Sequence, residues 1–161
     1  MNATTYAEQN WWVIPLKPES KEPARHLRHG YLDATLDKTK IADWFADPKT
    51  NIGIGLAQSF LVVLDFDFRN CKGNLKFYEY LERCFESNTY VVSTADGYHC
   101  YYHTAPEHNN FKGKLMDGID IKHKGYVAAP PSIHPSGFQY TVVNDVRPQV
   151  LPDDLAKVMM W

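Results

Sequence analysis

No apolar run in the 161 residues approaches the roughly 20 needed to cross a bilayer, so no membrane-spanning helix is expected. The chain does not start with a basic segment followed by an apolar stretch, which reads as the lack of a signal peptide. Cysteine is scarce. Cys71, Cys84 and Cys100 are odd in number, scattered, and form no CxxC pair. That pattern argues against a disulfide framework or zinc knuckle and fits a reducing cytoplasm. The 7 histidines stand in no recognised zinc spacing with one another or with cysteine. Net charge is nearly absent as well: at −2, bulk positive charge does not drive this chain onto nucleic acid. A local basic groove stays compatible with that total, because carboxylates clustered at a metal site would lower it. Repeats, low-complexity tracts and internal linkers are also missing. What remains is 44% apolar and 22% charged residues, the make-up of one globular domain expected to span 1–161.

Against that background one stretch organises the chain: Phe60-Leu61-Val62-Val63-Leu64-Asp65-Phe66-Asp67. Leu61 to Leu64 do not alternate with polar residues, so they read as a strand buried on both faces. Side chains two apart on a strand share a face, so Asp65 and Asp67 project together from its end. Two like charges side by side require a counter-cation or a raised pKa in one member. A hard divalent cation such as Mg²⁺ or Mn²⁺ resolves the conflict. A solvated strand end would show the same two residues.

The rest of the chain reads as alternating short elements. Residues 3–10 suggest a helix leading into a strand at Trp11 to Leu16. Lys17 to Gly30 is polar and punctuated by Pro18 and Pro23, a basic loop that is either solvated or in contact with phosphates. Asp37 is an expected N-cap for a helix ending before Pro48. Asn51 to Leu56 is expected as a strand whose glycines admit a close neighbour, paired with 60–67 across Ala57-Gln58-Ser59. Leu75, Tyr78, Leu81 and Phe85 give a helical period over 74–87. Thr89 to Ser93 and Tyr98 to Thr104 form an expected hairpin on an Asp96-Gly97 turn. Further strands are expected at 119–122, 125–129 and 138–143, before a short helix capped by Asp153 or Asp154. This order is not βαβ-repetitive, so the fold class is α+β with a largely antiparallel sheet.

Asp120 alternates with Ile119 and Ile121 and so shares the non-core face with Lys122. If it meets Asp65 and Asp67 across neighbouring strands, three carboxylates can hold two ions about 4 Å apart, the arrangement of phosphoryl transfer. Lys122 would then face a nucleotide's phosphates, or serve as a salt-bridge partner of Asp120. His99, with Ser93 across the turn, is either a structural strand histidine or a donor to a triphosphate.

Taken in series, several segments resemble a known family. They are Lys21-x-Pro23, Asn51-Ile52-Gly53-Ile54, Val62-Val63-Leu64-Asp65-Phe66-Asp67, Gly97-Tyr98-His99-x-Tyr101-Tyr102, Gly118-Ile119-Asp120-Ile121-Lys122, and Gly125 to His134. The chain, from about Trp11 to Leu155, resembles the bifunctional DNA primase/polymerase (Prim-Pol) N-terminal domain of the archaeo-eukaryotic primase superfamily, common in phage and plasmid replication proteins.

The resemblance implies an RRM-like antiparallel sheet carrying the active site, flanked by helices and an N-terminal αβ unit. It implies that Asp65, Asp67 and Asp120 bind two catalytic Mg²⁺ or Mn²⁺ ions, and that His99 contacts the incoming nucleotide's phosphates. By position, Ser132 and His134 would lie near the nucleotide, while Lys21, Arg25 and Arg28 offer template contacts. The expected activity is template-directed transfer from dNTP or NTP to a primer 3′-hydroxyl, with or without de novo priming. The expected partners are DNA template and primer, and a helicase module in the same chain or in trans. The expected setting is a bacterial cytoplasm under phage or plasmid control. Two departures stand out: Asp96 where the family usually has glycine, and Lys122 where it often has arginine, losing the bidentate fork. The competing readings are a non-catalytic single-strand-binding module and a metal-dependent nuclease or phosphohydrolase.

Overall fold

In the computed structural model, which describes residues 1–161, Leu61 to Leu64 are completely buried, as their lack of alternation predicts. In chain order the elements are α1 (Ala3–Glu8), β1 (Trp12–Leu16), α2 (Lys38–Trp44), β2 (Asn51–Gly55), β3 (Leu61–Asp67), α3 (Leu75–Glu86), β4 (Val91–Thr94), β5 (Gly97–His103), β6 (Lys114–Met116), β7 (Ile119–Lys122), β8 (Tyr126–Ala129), β9 (Thr141–Asn144), β10 (Gln149–Val150) and α4 (Asp153–Met159). The class is α+β with mostly antiparallel sheets, as expected.

The chain divides into two compact units. The first holds Met1–Ser59 with Lys124–Thr141 and is built on an antiparallel sheet in the order β1-β2-β8. Ile14 lies directly opposite Gly53, and a Cβ on Gly53 would come within 2.8 Å of the Ile14 side chain. The close neighbour that the glycines of β2 admit is therefore the unit's own core. Tyr6 stacks on Trp11 and donates its hydroxyl to the Pro130 carbonyl, tying α1 to the segment after β8. Asp37 caps α2 as expected, accepting from the amides of Thr39 and Lys40.

The expected pairing of β2 with β3 does not form. Both edges of β2 are filled, by β1 and by β8. Ser59 donates to the Gly55 carbonyl and accepts from the Trp12 amide, which closes Ala57–Ser59 as a tight turn instead of a hairpin loop.

The second unit holds Phe60–His123 with Val142–Trp161. Its strands run β6-β7-β3-β5-β4-β9, with β10 parallel to the far end of β5. One face of this sheet packs on α3 and α4 through Leu64, Phe66, Cys100, Tyr102, Ile119 and Ile121. Asn74 caps α3, and Phe77 sets its ring edge-on to Phe66 at 5.5 Å. Burying each of these large side chains contributes about 1.5–3 kcal/mol. The opposite face carries the acidic residues.

Other differences are local. The Thr89 to Thr104 hairpin turns on Ala95 and Asp96, with Gly97 already in β5. The Asp-Gly turn that does join two strands is Asp117-Gly118, between β6 and β7, with Gly118 at φ +90°. The terminal helix is N-capped by Pro152, which offers no side-chain bond, and Asp153 and Asp154 fall in its first turn. There Asp154 pairs with Arg83 at 2.7 Å. The last expected strand shortens to Thr141–Asn144. No helix is long and apolar enough to cross a membrane.

Candidate active site

Strand register sets the site. Asp65 on β3 is the direct partner of Asp120 on β7 and of His99 on β5. Directly paired residues share a face, so Asp120, Asp65 and His99 form a row across three strands. Asp67 stands one step further along β3, opposite Gly97. A Cβ on Gly97 would meet the Phe66 carbonyl oxygen at 1.8 Å, so only glycine lets β5 close onto β3 here. The Asp67 amide in turn donates to the Gly118 carbonyl at 2.8 Å, fixing the β6–β7 hairpin against the acidic end of β3.

Each carboxylate has a cationic or donor partner. His99 Nε2 lies 3.5 Å from Asp65 Oδ1, with the histidine side chain 8% exposed and the aspartate 29%. Burial works against ionisation of Asp65, yet the hydrogen bond and charge of His99, with Lys122 beyond, hold its carboxyl below the usual carboxylate range. Asp67 Oδ1 accepts from the Arg69 amide and Nε, and Oδ2 accepts from Arg69 Nη2 and Asn70 Nδ2. Those Arg69 bonds, opposed by burial, lower the Asp67 carboxyl also. Lys122 Nζ lies 3.8 Å from Asp120 Oδ2, so the salt bridge considered for this lysine is present. Counter-cations therefore resolve the crowding of the aspartates, and neither Asp65 nor Asp67 is pushed toward its protonated form.

Asp65, Asp67 and Asp120 open onto one cavity of about 300 Å³, which Asn70, Lys72, Lys114 and Asp117 also line. Asp117 holds both lysines, Lys72 at 3.1 Å and Lys114 at 3.6 Å. Sequence reasoning missed Arg69, Asn70, Lys72, Lys114 and Asp117. The available signals were turn signals: Asp67 followed by Phe-Arg-Asn as an N-cap, and Asp117-Gly118 as a hairpin turn.

The other expected site residues fall elsewhere. Ser93 is the direct partner of Tyr98, one residue out of step with His99, and so sits on the opposite face of the sheet. Ser93 thus lies across the turn, on the neighbouring strand, but does not share the face of His99. Lys21, Arg25 and Arg28 are exposed, and they belong to the first unit with Ser132 and His134. The Lys21 carbonyl accepts from the Tyr126 hydroxyl, and Lys17 pairs with Glu22, so this basic loop is anchored. His134 Nδ1 is engaged by the amide and hydroxyl of Ser136.

Ser132 is buried, and its hydroxyl accepts from the Ile52 amide at 2.8 Å and donates to the Ile52 carbonyl at 3.2 Å. Replacing it with alanine strands both backbone groups and should cost about 1–3 kcal/mol. Thermal melts should register that loss while the KM for nucleotide stays unchanged. A raised KM at full stability would instead return Ser132 to the nucleotide site.

A second cluster combines Glu107, His108 and Asp153, whose ligand atoms lie within 4.8 Å of one another. Its chemistry does not suit a metal. His108 Nδ1 accepts from the Ala105 amide at 3.0 Å, which leaves the ring proton on Nε2, the nitrogen facing Asp153 at 3.6 Å. A nitrogen that carries a proton donates to the carboxylate and has no lone pair for an ion.

The family model for the bifunctional DNA primase/polymerase N-terminal domain, Prim-Pol, matches residues 3–154. The chain belongs to that family. No curated protein matches the sequence. Membership in Prim-Pol carries a nucleotidyltransferase type of activity, with DNA and nucleotides as substrates and divalent metal use. The donor set on β3 and β7 fits that requirement, because it consists of carboxylates, the hard oxygen ligands that Mg²⁺ and Mn²⁺ take.

Proposed function

We propose that this Prim-Pol domain extends a primer on a DNA template, and starts strands de novo where a partner supports it. The observation that carries the reading is the row Asp120–Asp65–His99 with Asp67 beside it, on the open face of the second unit's sheet. In the reaction the primer 3′-hydroxyl gives its proton up to solvent as its oxygen forms a bond to the α-phosphorus of a bound dNTP or NTP. The bond from that phosphorus to the β-phosphate bridge oxygen breaks, and pyrophosphate leaves. Asp65, Asp67 and Asp120 would hold two Mg²⁺ or Mn²⁺ ions. When bound, the ions supply Lewis-acid polarisation of the attacking hydroxyl and neutralise the charge of the departing pyrophosphate.

The protein's own groups do the rest. His99 has its Nε2 on the acidic face beside Asp65, and that N–H turns from Asp65 to the triphosphate when a nucleotide binds. Lys122, about two-fifths exposed, supplies a mobile positive charge beside Asp120. Lys21, Arg25 and Arg28 contact the template backbone, which makes binding salt-dependent. His134 enters as a nucleotide contact on the family resemblance alone. The sheet of the second unit plays the part of the RRM-like sheet, and the biological setting is replication of a phage or plasmid genome alongside a helicase.

The test is extension of a labelled primer on a DNA template with Mg²⁺ or Mn²⁺. Lengthening that requires dNTPs and follows the template supports the reading. Shortening of labelled single-stranded DNA would make the same carboxylates a nuclease, and binding without either would make the domain a non-catalytic module. Within the same assay His99→Asn should raise the dNTP KM about tenfold, the size of one lost charge-assisted hydrogen bond, with a smaller effect on kcat. An unchanged KM in a variant that melts normally would remove His99 from the phosphate site.

A further inference from the structure

Arg69 is among the residues at this site that neither the family's acidic motifs nor the proposed chemistry uses, and it alone grips a carboxylate of the triad with its side chain at two points. It belongs to the short turn that follows β3, and that turn is closed by Asp67 itself, through the bond from the Arg69 amide to Oδ1 at 2.9 Å. The Arg69 side chain then returns to the same carboxylate: Nε reaches Oδ1 at 3.1 Å and Nη2 reaches Oδ2 at 2.8 Å. Asn70 Nδ2 adds a fourth donor on Oδ2 at 3.2 Å. A carboxylate offers about four lone-pair sites, so Asp67 is saturated by its own neighbours. A metal ion can share Asp67 only if a donor leaves, and the guanidinium, 67% exposed, is the one free to move.

A second seat is already beside it. The Nη2 nitrogen that bonds Asp67 also lies 3.4 Å from Asp96 Oδ2. Asp96 sits in the β4–β5 turn, and its carbonyl accepts from the Phe68 amide at 2.9 Å, so its turn is pinned against the one carrying Arg69. Passing from one aspartate to the other requires a side-chain rotation and no backbone movement. The departure of Asp96 from the family's usual glycine thus acquires a role.

We propose that Arg69 is a built-in competitor for the metal ligand Asp67, and that Asp96 receives its guanidinium when a metal takes Asp67. Arg69 is a positioning residue here: it acts on the reaction through Asp67. The inference rests on the reading of Asp67 as a metal ligand. Its consequence is a site that stays charge-balanced without metal and takes up metal less tightly than its carboxylates would allow.

The test measures Mn²⁺ binding to the whole chain, without DNA or nucleotide, by calorimetry or by the paramagnetic signal of free Mn²⁺. R69K keeps the charge but loses the two-pronged grip, while R69Q loses both. Both should bind Mn²⁺ about tenfold more tightly than the unaltered chain, the equivalent of one charge-assisted hydrogen bond. D96N removes the receiving seat and should weaken binding about threefold, an effect that should vanish when it is combined with R69Q, as coupled neighbours require. If R69K matches the unaltered chain and only R69Q binds more tightly, general charge accounts for the effect and the competitor is overturned. Weaker binding in either variant overturns it too, making Arg69 a support for the ligand. A D67N control separates the two layers. Mn²⁺ binding that D67N leaves untouched overturns the ligand reading of Asp67 itself. Binding that needs Asp67 but ignores Arg69 overturns only the competitor.

Discussion

Converting Asp65 and Asp67 together to asparagine is expected to reduce primer extension by about three orders of magnitude or more, given how much ion-mediated charge stabilisation contributes to phosphoryl transfer. The fold should survive. Both side chains sit at the open end of β3 and are partly exposed, and the apolar core beneath them ends at Phe66. Asparagine keeps the shape and an acceptor oxygen for the amide of Arg69, and it removes the repulsion between two neighbouring carboxylates. What is lost is the ion pair with an exposed arginine, a kind worth about 1 kcal/mol or less, while the asparagine oxygen at position 65 can still accept from the buried His99. Thermal melts of the double variant should therefore stay close to those of the unaltered chain, while nucleotide incorporation disappears. Asp120→Asn should repeat the result from β7. Extension that persists in a folded double variant would sink the assignment of these carboxylates to catalysis.

The parts of this site that follow a period of two were legible in the sequence, and the parts made by turns were not. Asp65 with Asp67, and Asp120 with Lys122, follow from alternation along a strand, and the buried run before Asp65 placed them at the end of a core strand. Which strands would neighbour β3 was not readable from alternation. Closeness in the chain points to β2, which precedes β3 by a short turn, yet both edges of β2 are taken by β1 and β8. The face of Ser93 is equally hidden from alternation, since a shift of one residue in pairing moves a side chain to the other face. Arg69 and Asn70 escaped notice because the chain leaves strand geometry at Asp67, where the carboxylate captures its own turn. Lys114 and Asp117 escaped because β6 is three residues long and carries no run of β-formers. Of two Asp-Gly pairs, Asp96-Gly97 drew the turn assignment, whereas Asp117-Gly118 is the one that uses its glycine at positive φ.

That contrast leads to the second large effect, which is expected at Gly97. Its backbone does not need positive φ, so the usual argument for glycine in a turn does not apply. The constraint is contact: a methyl group there would sit 1.8 Å from the Phe66 carbonyl oxygen and 2.8 Å from its carbon. Those atoms are backbone of the central strand and have no rotamer to escape into. Gly97→Ala must push β5 away from β3, and these two strands share seven paired positions from Leu61↔His103 to Asp67↔Gly97. The cost should be at least about 3 kcal/mol, above the usual range for overpacking because the clash is with main chain. That is a large share of a typical stability of about 5–15 kcal/mol. Denaturant unfolding should show the loss directly. Gly113→Ala is the control: no atom lies within 4 Å of its added carbon, and its φ is not positive, so stability should stay within about 0.5 kcal/mol. In whatever fraction of Gly97→Ala remains folded, activity should fall as well, because Gly97 is the direct partner of Asp67 and lies two residues before His99. A variant that melts like the unaltered chain would mean that β3 and β5 can separate at this end without harm. The close approach at Gly97 would then not be what holds Asp67 in line with Asp65 and Asp120.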